Sequence, residues 1–395
     1  VGAVAWNTGA AYAQPRPETT PLPPVDLLAP SSVRAAGYYS EGGNSPTPAL
    51  SPVPAQPSDP PSDFDEALHA PCCDECETSC DSCQRKWFVV GSGLAMTRNR
   101  APAIVTTTTA NDPFNLQMNT ESASAGWAGG GQVTLGYAWR GVGGPNIAFT
   151  YWGLGPMSGY ASVSDQTGNP ATALNSTLVF SSSTIINGNP ASTYFNNAQE
   201  QSVQRQDRAD NIEFNLSSGT YGFGNFQLSG LAGFRYFRFN EDLTYGSASF
   251  GNSFVSNGGA DAAYLNIRTH NNLYGAQVGS VLSSIITQRL TAFAVAKVGV
   301  YANQMDTFQQ LYSGATPNTP AYAGSQRKAD VSTLSELDAG FLWAFNPNWR
   351  LIAGYRVVSI SNLALADSQF GSFGLFEQSG SLILHGGFLG LTWLF

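Results

Sequence analysis

Long apolar runs are missing from this 395-residue chain. No stretch approaches the roughly 18 uninterrupted apolar residues that a membrane helix needs, so transmembrane helices are not expected. Charge is scarce too: Asp, Glu, Lys and Arg make up 11% of the residues. No basic cluster of the kind that grips a nucleic-acid backbone is present. Histidine occurs only at positions 69, 270 and 385, which leaves few imidazole bases for catalysis. There is no Cys-x-x-Cys-His haem site. The five cysteines match neither ferredoxin spacing nor the usual zinc arrangement, whose pairs stand about a dozen residues apart. No cofactor or metal is implied, and no nucleic acid is expected as a partner.

What is present divides near Arg85. Residues 1–85 hold 14 of the 23 prolines, all five cysteines, and 11 of the 27 acids against only Arg16, Arg34 and Arg85. The acidic balance therefore belongs to this arm. Residues 86–395 are nearly neutral and rich in Gly, Ser, Asn, Thr and aromatics, too polar for a helical membrane protein and too extended in pattern for an α/β enzyme.

Within the arm, residues 1–71 carry no helical or strand period. Their prolines predict extended, partly polyproline II backbone unable to bury a core alone. A disordered linker is the plainer alternative to an arm held by the periplasmic mouth or by neighbouring copies. Val1-Gly-Ala-Val-Ala-Trp6 and Ala11-Tyr12-Ala13 read as the tail of an export signal, kept here or preceded by one further upstream. Residues 72–85 contain Cys72, Cys73, Cys76, Cys80 and Cys83. In an exported chain dense cysteines point to disulfides. Adjacent Cys72 and Cys73 do not readily bridge each other, and an odd count leaves one thiol over for a second chain. Metal binding and free thiols are the competing readings.

From residue 86 onward, period-two runs between turn signals give ten strands, near 86–97, 126–140, 146–158, 204–218, 226–245, 262–284, 289–310, 328–346, 349–366 and 378–395. Tight turns at 141–146, 219–225, 287–288 and 346–348 alternate with long polar loops near 98–125, 159–203, 246–261, 311–327 and 367–377. Short turns on one rim and long loops on the other are the arrangement of an outer-membrane barrel, with the short side periplasmic. The fold expected is all-β: an antiparallel up-and-down transmembrane β-barrel over 86–395, preceded by the Pro/Cys-rich arm. Trp87, Trp139, Trp343, Trp349, Trp393 and Phe395 fall beside the short turns or the chain end. They would form one interfacial girdle, with Phe395 ending the strand as an insertion signal.

Alternation assigns the faces. Ile212, Phe214 and Leu216 point to lipid, while Glu213 points inward. By the same logic Arg235, Lys297, Glu336, Asp338 and Arg356 enter the lumen. Arg268 joins them, with His270, if strand six changes phase at a bulge near Leu273-Tyr274. Pivoting the hairpin about Pro347 sets Asp338 opposite Arg356. Ten strands enclose a narrow lumen, better filled by side chains or the arm than left open.

Four stretches carry a resemblance: Lys86-Trp-Phe-Val-Val90, Gly233-Phe-Arg-Tyr-Phe-Arg-Phe-Asn-Glu-Asp242, Gly354-Tyr-Arg356 and Leu382-Ile-Leu-His-Gly-Gly-Phe-Leu-Gly-Leu391. Over residues 86–395 the chain resembles a family common in planctomycete genomes, named as β-barrel porins or outer-membrane proteins of those bacteria. The resemblance implies an outer-membrane location more firmly than transport, and it does not extend to the arm. The functional expectation is a structural, non-enzymatic barrel. Its partners would be the lipid bilayer and further copies of itself, linked by the periplasmic arm through extended contacts and disulfides. A passive channel through the charged lumen is the alternative. For an enzyme, His270 with Asp261 or Asp242 is the remote candidate, since His69 lies in the arm and His385 beside two glycines.

Overall fold

The computed structural model describes residues 87–139, 143–165, 167, 172–249, 251–254, 259, 261–371 and 376–395. The expected arm, its cysteines and the Val1–Ala13 segment lie outside the described residues.

Ten long strands build the fold: β1 (Trp87–Arg98), β2 (Ala128–Ala138), β3 (Asn146–Ser164), β4 (Ala198–Ser217), β5 (Phe226–Ser249), β6 (Ala262–Ile285), β7 (Leu290–Ser313), β8 (Tyr322–Ala344), β9 (Trp349–Leu363) and β10 (Gly380–Leu394). Each runs antiparallel to the next. The ring closes where β1 pairs with β10, from Phe88 opposite Leu394 to Arg98 opposite Leu384. Closure gives each of the ten strands a neighbour on both sides, the arrangement that lets a sheet stand in hydrocarbon.

The short turns owe their form to local chemistry. The Asn346 side chain accepts from the backbone N–H groups of Asn348 (2.9 Å) and Trp349 (2.8 Å), closing the Asn-Pro-Asn turn. Between β6 and β7, Leu290 N–H donates to the Thr287 carbonyl at 3.2 Å. Glycine matters where the wall is tight: the Phe88 ring lies directly over Gly136, where a Cβ would collide with it.

At the other rim the strands run further than hydropathy suggests. β5 and β6 stay paired up to Ala248 opposite Ala262, and β7 and β8 up to Leu311 opposite Tyr322. Above the apolar belt the outward positions become polar while the inward ones become apolar. The contrast reverses but the parity does not. That reversal is why a phase change looked necessary in β6. Its register against both neighbours is unbroken, so no bulge lies near Leu273-Tyr274. Arg268 consequently sits on the outer wall, half exposed and bonded to Asp242 at 3.0 Å, and does not line the lumen. Real breaks occur at Gly155-Pro156 in β3, where proline has no N–H for the ladder, and at Asn362 in β9. Above the rim, a hairpin of Val105–Thr109 with Asp112–Asn119 and the segment Leu174–Ser176 extend the sheet. Met118, Leu178 and Phe195 from these loops pack on Tyr245, Leu265 and Leu311.

Candidate functional site

The inward positions of β5 read, from the short-turn rim upward, Arg235, Phe237, Phe239, Glu241, Leu243 and Tyr245, all buried. Together with the buried residues that neighbouring strands add at the same levels, this order divides the interior into layers.

The lower charged layer gathers six of the residues assigned to the lumen by alternation. Arg235 donates to Glu213 and Glu336, both at 2.7 Å. Lys297 donates to the same two carboxylates, at 2.9 and 2.7 Å. Arg356 grips both oxygens of Asp338 at 2.8 and 2.7 Å and reaches Gln132 at 2.8 Å. Asp338 and Arg356 stand directly opposite each other in the hairpin. Asn211, Asn215 and Gln277 donate further to Glu213. Three carboxylates thus meet three cations, and this neutrality allows charges to remain far from bulk water.

Above it lies an apolar layer of Trp152, Phe237, Phe239, Leu273, Leu334, Val358 and Leu384. The Arg356 guanidinium rests 5.6 Å from the Trp152 ring centroid and 5.7 Å from that of Phe388, so cation–π contact joins the two layers.

A second charged layer follows. Arg98 donates to Asp207 at 2.9 Å and to Glu241 at 2.7 Å. Arg205 bridges Glu241 and Asp367. Asp367 arrives from the loop after β9. Asn362, at φ 58°, turns the chain inward there; asparagine tolerates this left-handed backbone better than most residues. Leu363, Ala364, Leu365, Ala366, Asp367 and Gln369 are fully buried inside the mouth. Ala364 exchanges hydrogen bonds with the Asn271 side chain, and Ala366 N–H donates to Glu241 at 2.6 Å. Burial pushes the Asp367 carboxyl up to about 6, Glu241 adds to this, and Arg205 opposes it.

Arg98, Arg205, Asp207, Glu241 and Asp367 were not among the sequence-derived lumen residues. For two strands the signal was present: Arg205 and Asp207 share the parity of Glu213, and Glu241 that of Arg235. Nothing in the pattern of the 367–377 loop announces that it folds inward.

The outer wall carries the apolar belt. On β10, Ile383, Leu389, Leu391 and Trp393 are exposed, and Phe395 follows them at the chain end. At about 3.3 Å per residue and a tilt near 45°, the run from Ile383 to Phe395 rises about 28 Å, close to the apolar band of a membrane barrel. Trp87, Trp139, Trp343, Trp349, Trp393 and Phe395 are all exposed at the short-turn rim. Trp393 stacks on Trp349 (5.8 Å) and on Phe395 (4.3 Å), and Trp87 packs edge-on to Tyr137 at 4.9 Å.

His270 projects outward above the belt, opposite Asp306 in register, beside a surface groove of about 500 Å³ that Ser325 and Arg327 also line. Neither Asp242 nor Asp261 is its register partner. His385 also faces outward; its Nδ1 lies 2.6 Å from the Tyr355 hydroxyl. His69 lies outside the described residues.

No protein-family model and no curated protein sequence matches the chain. Among solved structures, the outer-membrane protease OmpT of Escherichia coli is similar at 12% identity and a TM-score of 0.42, over 81% of this chain and 99% of that one. A major outer-membrane protein of Thermus thermophilus is similar at 8% identity and a TM-score of 0.29, over 78% and 98%. The toluene transporter TbuX of Ralstonia pickettii is similar at 8% identity and a TM-score of 0.28, over 78% and 88%.

Proposed function

We propose that this chain is a structural outer-membrane barrel, not an enzyme, anchored by its apolar outer wall, with the Pro/Cys-rich arm on the periplasmic side linking copies of the protein. The observation that carries the reading is the occupied interior. Two layers of buried ion pairs, an apolar layer between them and the inward-folded 363–370 loop fill a barrel whose outside is dressed for lipid. Such a body holds a position in a bilayer. The arm then supplies what the barrel lacks, a means of tying one copy to the next, through extended contacts and the odd thiol of Cys72, Cys73, Cys76, Cys80 and Cys83.

Planar-bilayer recording of the full-length protein tests the closed interior: silence is expected. A steady, large conductance that persists after removal of the arm would favour the alternative, a passive channel lined by Glu213, Arg235, Lys297, Glu336, Asp338 and Arg356. Non-reducing gels test the arm. Covalent oligomers that collapse with reductant are expected, and a monomer in both lanes ends the linkage idea.

A further inference from the structure

Strand-borne charges on the outer wall are confined to one side. Outward positions of β1, β2, β3, β9 and β10 carry no Asp, Glu, Lys or Arg, whereas those of β4 to β8 carry Arg208, Asp210, Arg238, Asp242, Arg268, Asp306 and Arg327. Registers arrange them in rows. Ile212, Tyr236, Tyr274, Ala302 and Val331 stand side by side as the upper edge of the belt. The next row up is Asp210, Arg238, Asn272 and Gln304, and the one above it is Arg208, Asn240, His270, Asp306 and Arg327.

Most of these charges are matched. Arg268 pairs with Asp242 and Arg327 with Asp306. Asp210 faces Arg238 in register but takes its hydrogen bond from the Tyr151 hydroxyl at 3.2 Å. Among the described residues, Arg208 and Arg238 form no ion pair. With its amide turned oxygen-first, Asn240 accepts from Arg238 at 2.9 and 2.8 Å, which holds that guanidinium without neutralising it. The two arginines are diagonal neighbours on adjacent strands, on the order of 7 Å apart. That spacing lets two guanidinium forks converge on one tetrahedral anion.

We infer that this wall docks a phosphorylated lipid of the outer leaflet, its phosphate between Arg208 and Arg238 and its acyl chains against Ile212, Tyr236, Tyr274 and Phe234 below. The occupant is a lipid and not free phosphate, because Arg238 stands one row and Arg208 two rows above continuous apolar wall. The groove beside His270, in the same row, leaves room for a bulky headgroup. The inference rests on the membrane reading above.

Full-length protein in dodecylmaltoside micelles is mixed with bisphosphorylated hexa-acyl lipid A, and retained lipid is read by native mass spectrometry. The wild type should retain lipid A, R208Q/R238Q should bind it at least about tenfold more weakly, and R208K/R238K should recover part of the loss. Folding of each variant is checked by heat-modifiable gel mobility. Equal retention by R208Q/R238Q, equal retention of dephosphorylated lipid A, or displacement by millimolar inorganic phosphate would overturn the proposal while leaving the barrel reading intact. Failure of the wild type to insert into phosphatidylcholine vesicles would overturn both.

Discussion

Arg235 is the residue whose removal tests the interior most directly. Its guanidinium is fully buried and pairs with Glu213 and Glu336 at 2.7 Å each. At an effective dielectric near 20 and charge centres about 4 Å apart, each attraction is worth about 4 kcal/mol, so two give about 8. Against this stands the several kcal/mol needed to strip water from the arginine, leaving a net loss of about 3–5 kcal/mol for Arg235→Met. Lys297 still serves both carboxylates in the variant, but the layer then holds three acids against two cations. Arg235→Met with Glu213→Gln restores the balance, and the double variant should lie within about 2 kcal/mol of the wild type. The assay is the urea midpoint of the full-length protein in phosphatidylcholine vesicles, followed by tryptophan fluorescence. A single variant within about 1 kcal/mol of wild type, or a double variant that merely adds the two losses, would show that charge balance does not organise this layer.

Three further outcomes follow from the mouth and the girdle. Because burial and Glu241 raise Asp367 to about 6, the docked loop favours the protonated carboxyl. Its contribution is complete below about pH 4 and fades as pH rises through 6. Amides of residues 364–370 should therefore exchange more slowly at pH 5 than at pH 8 after correction for intrinsic rates. Asp367→Asn should flatten that dependence, and protection that falls on acidification would refute it. Asn362→Ala places a Cβ-bearing residue without a compensating side-chain bond at φ 58° and deletes the hydrogen bond to the Val331 carbonyl. A loss of about 1–2 kcal/mol and new proteolytic cleavage in the 364–370 loop are expected, less with glycine at 362. Trp393→Ala removes the ring between Trp349 and Phe395 and should cost about 1–3 kcal/mol in vesicles yet little in a detergent that contacts the whole wall. An equal loss in both media would mean the girdle is simply a packed cluster.

The parts of this molecule legible in the sequence are those where one physical contrast dominates. Between the short-turn rim and the top of the belt, an apolar wall outside and ion pairs inside make polarity alternate along the strands. All ten strands and the facing of Ile212, Glu213, Arg235, Lys297, Glu336, Asp338 and Arg356 follow from that alternation alone. Asp338 and Arg356 meet because a tight turn at Pro347 fixes their register, and register carries side-chain parity with it. Above the belt the outer wall is polar, so Arg268 and His270 turn outward without cost and Leu265 and Ile267 inward with gain. The parity is the same, but a reader expecting oil outside takes the reversal for a bulge. The second charged layer was hidden for a different reason. Its Arg205, Asp207 and Glu241 sit on predicted strands, but Arg98 opens a predicted loop and Asp367, which pairs with Arg205, comes from another that a left-handed Asn362 turns inward. Alternation describes a wall; it cannot describe a loop that enters the room. The plugged interior, on which the proposed structural role rests, is for that reason a property of the folded chain and was foreshadowed in the sequence only by the narrowness of ten strands.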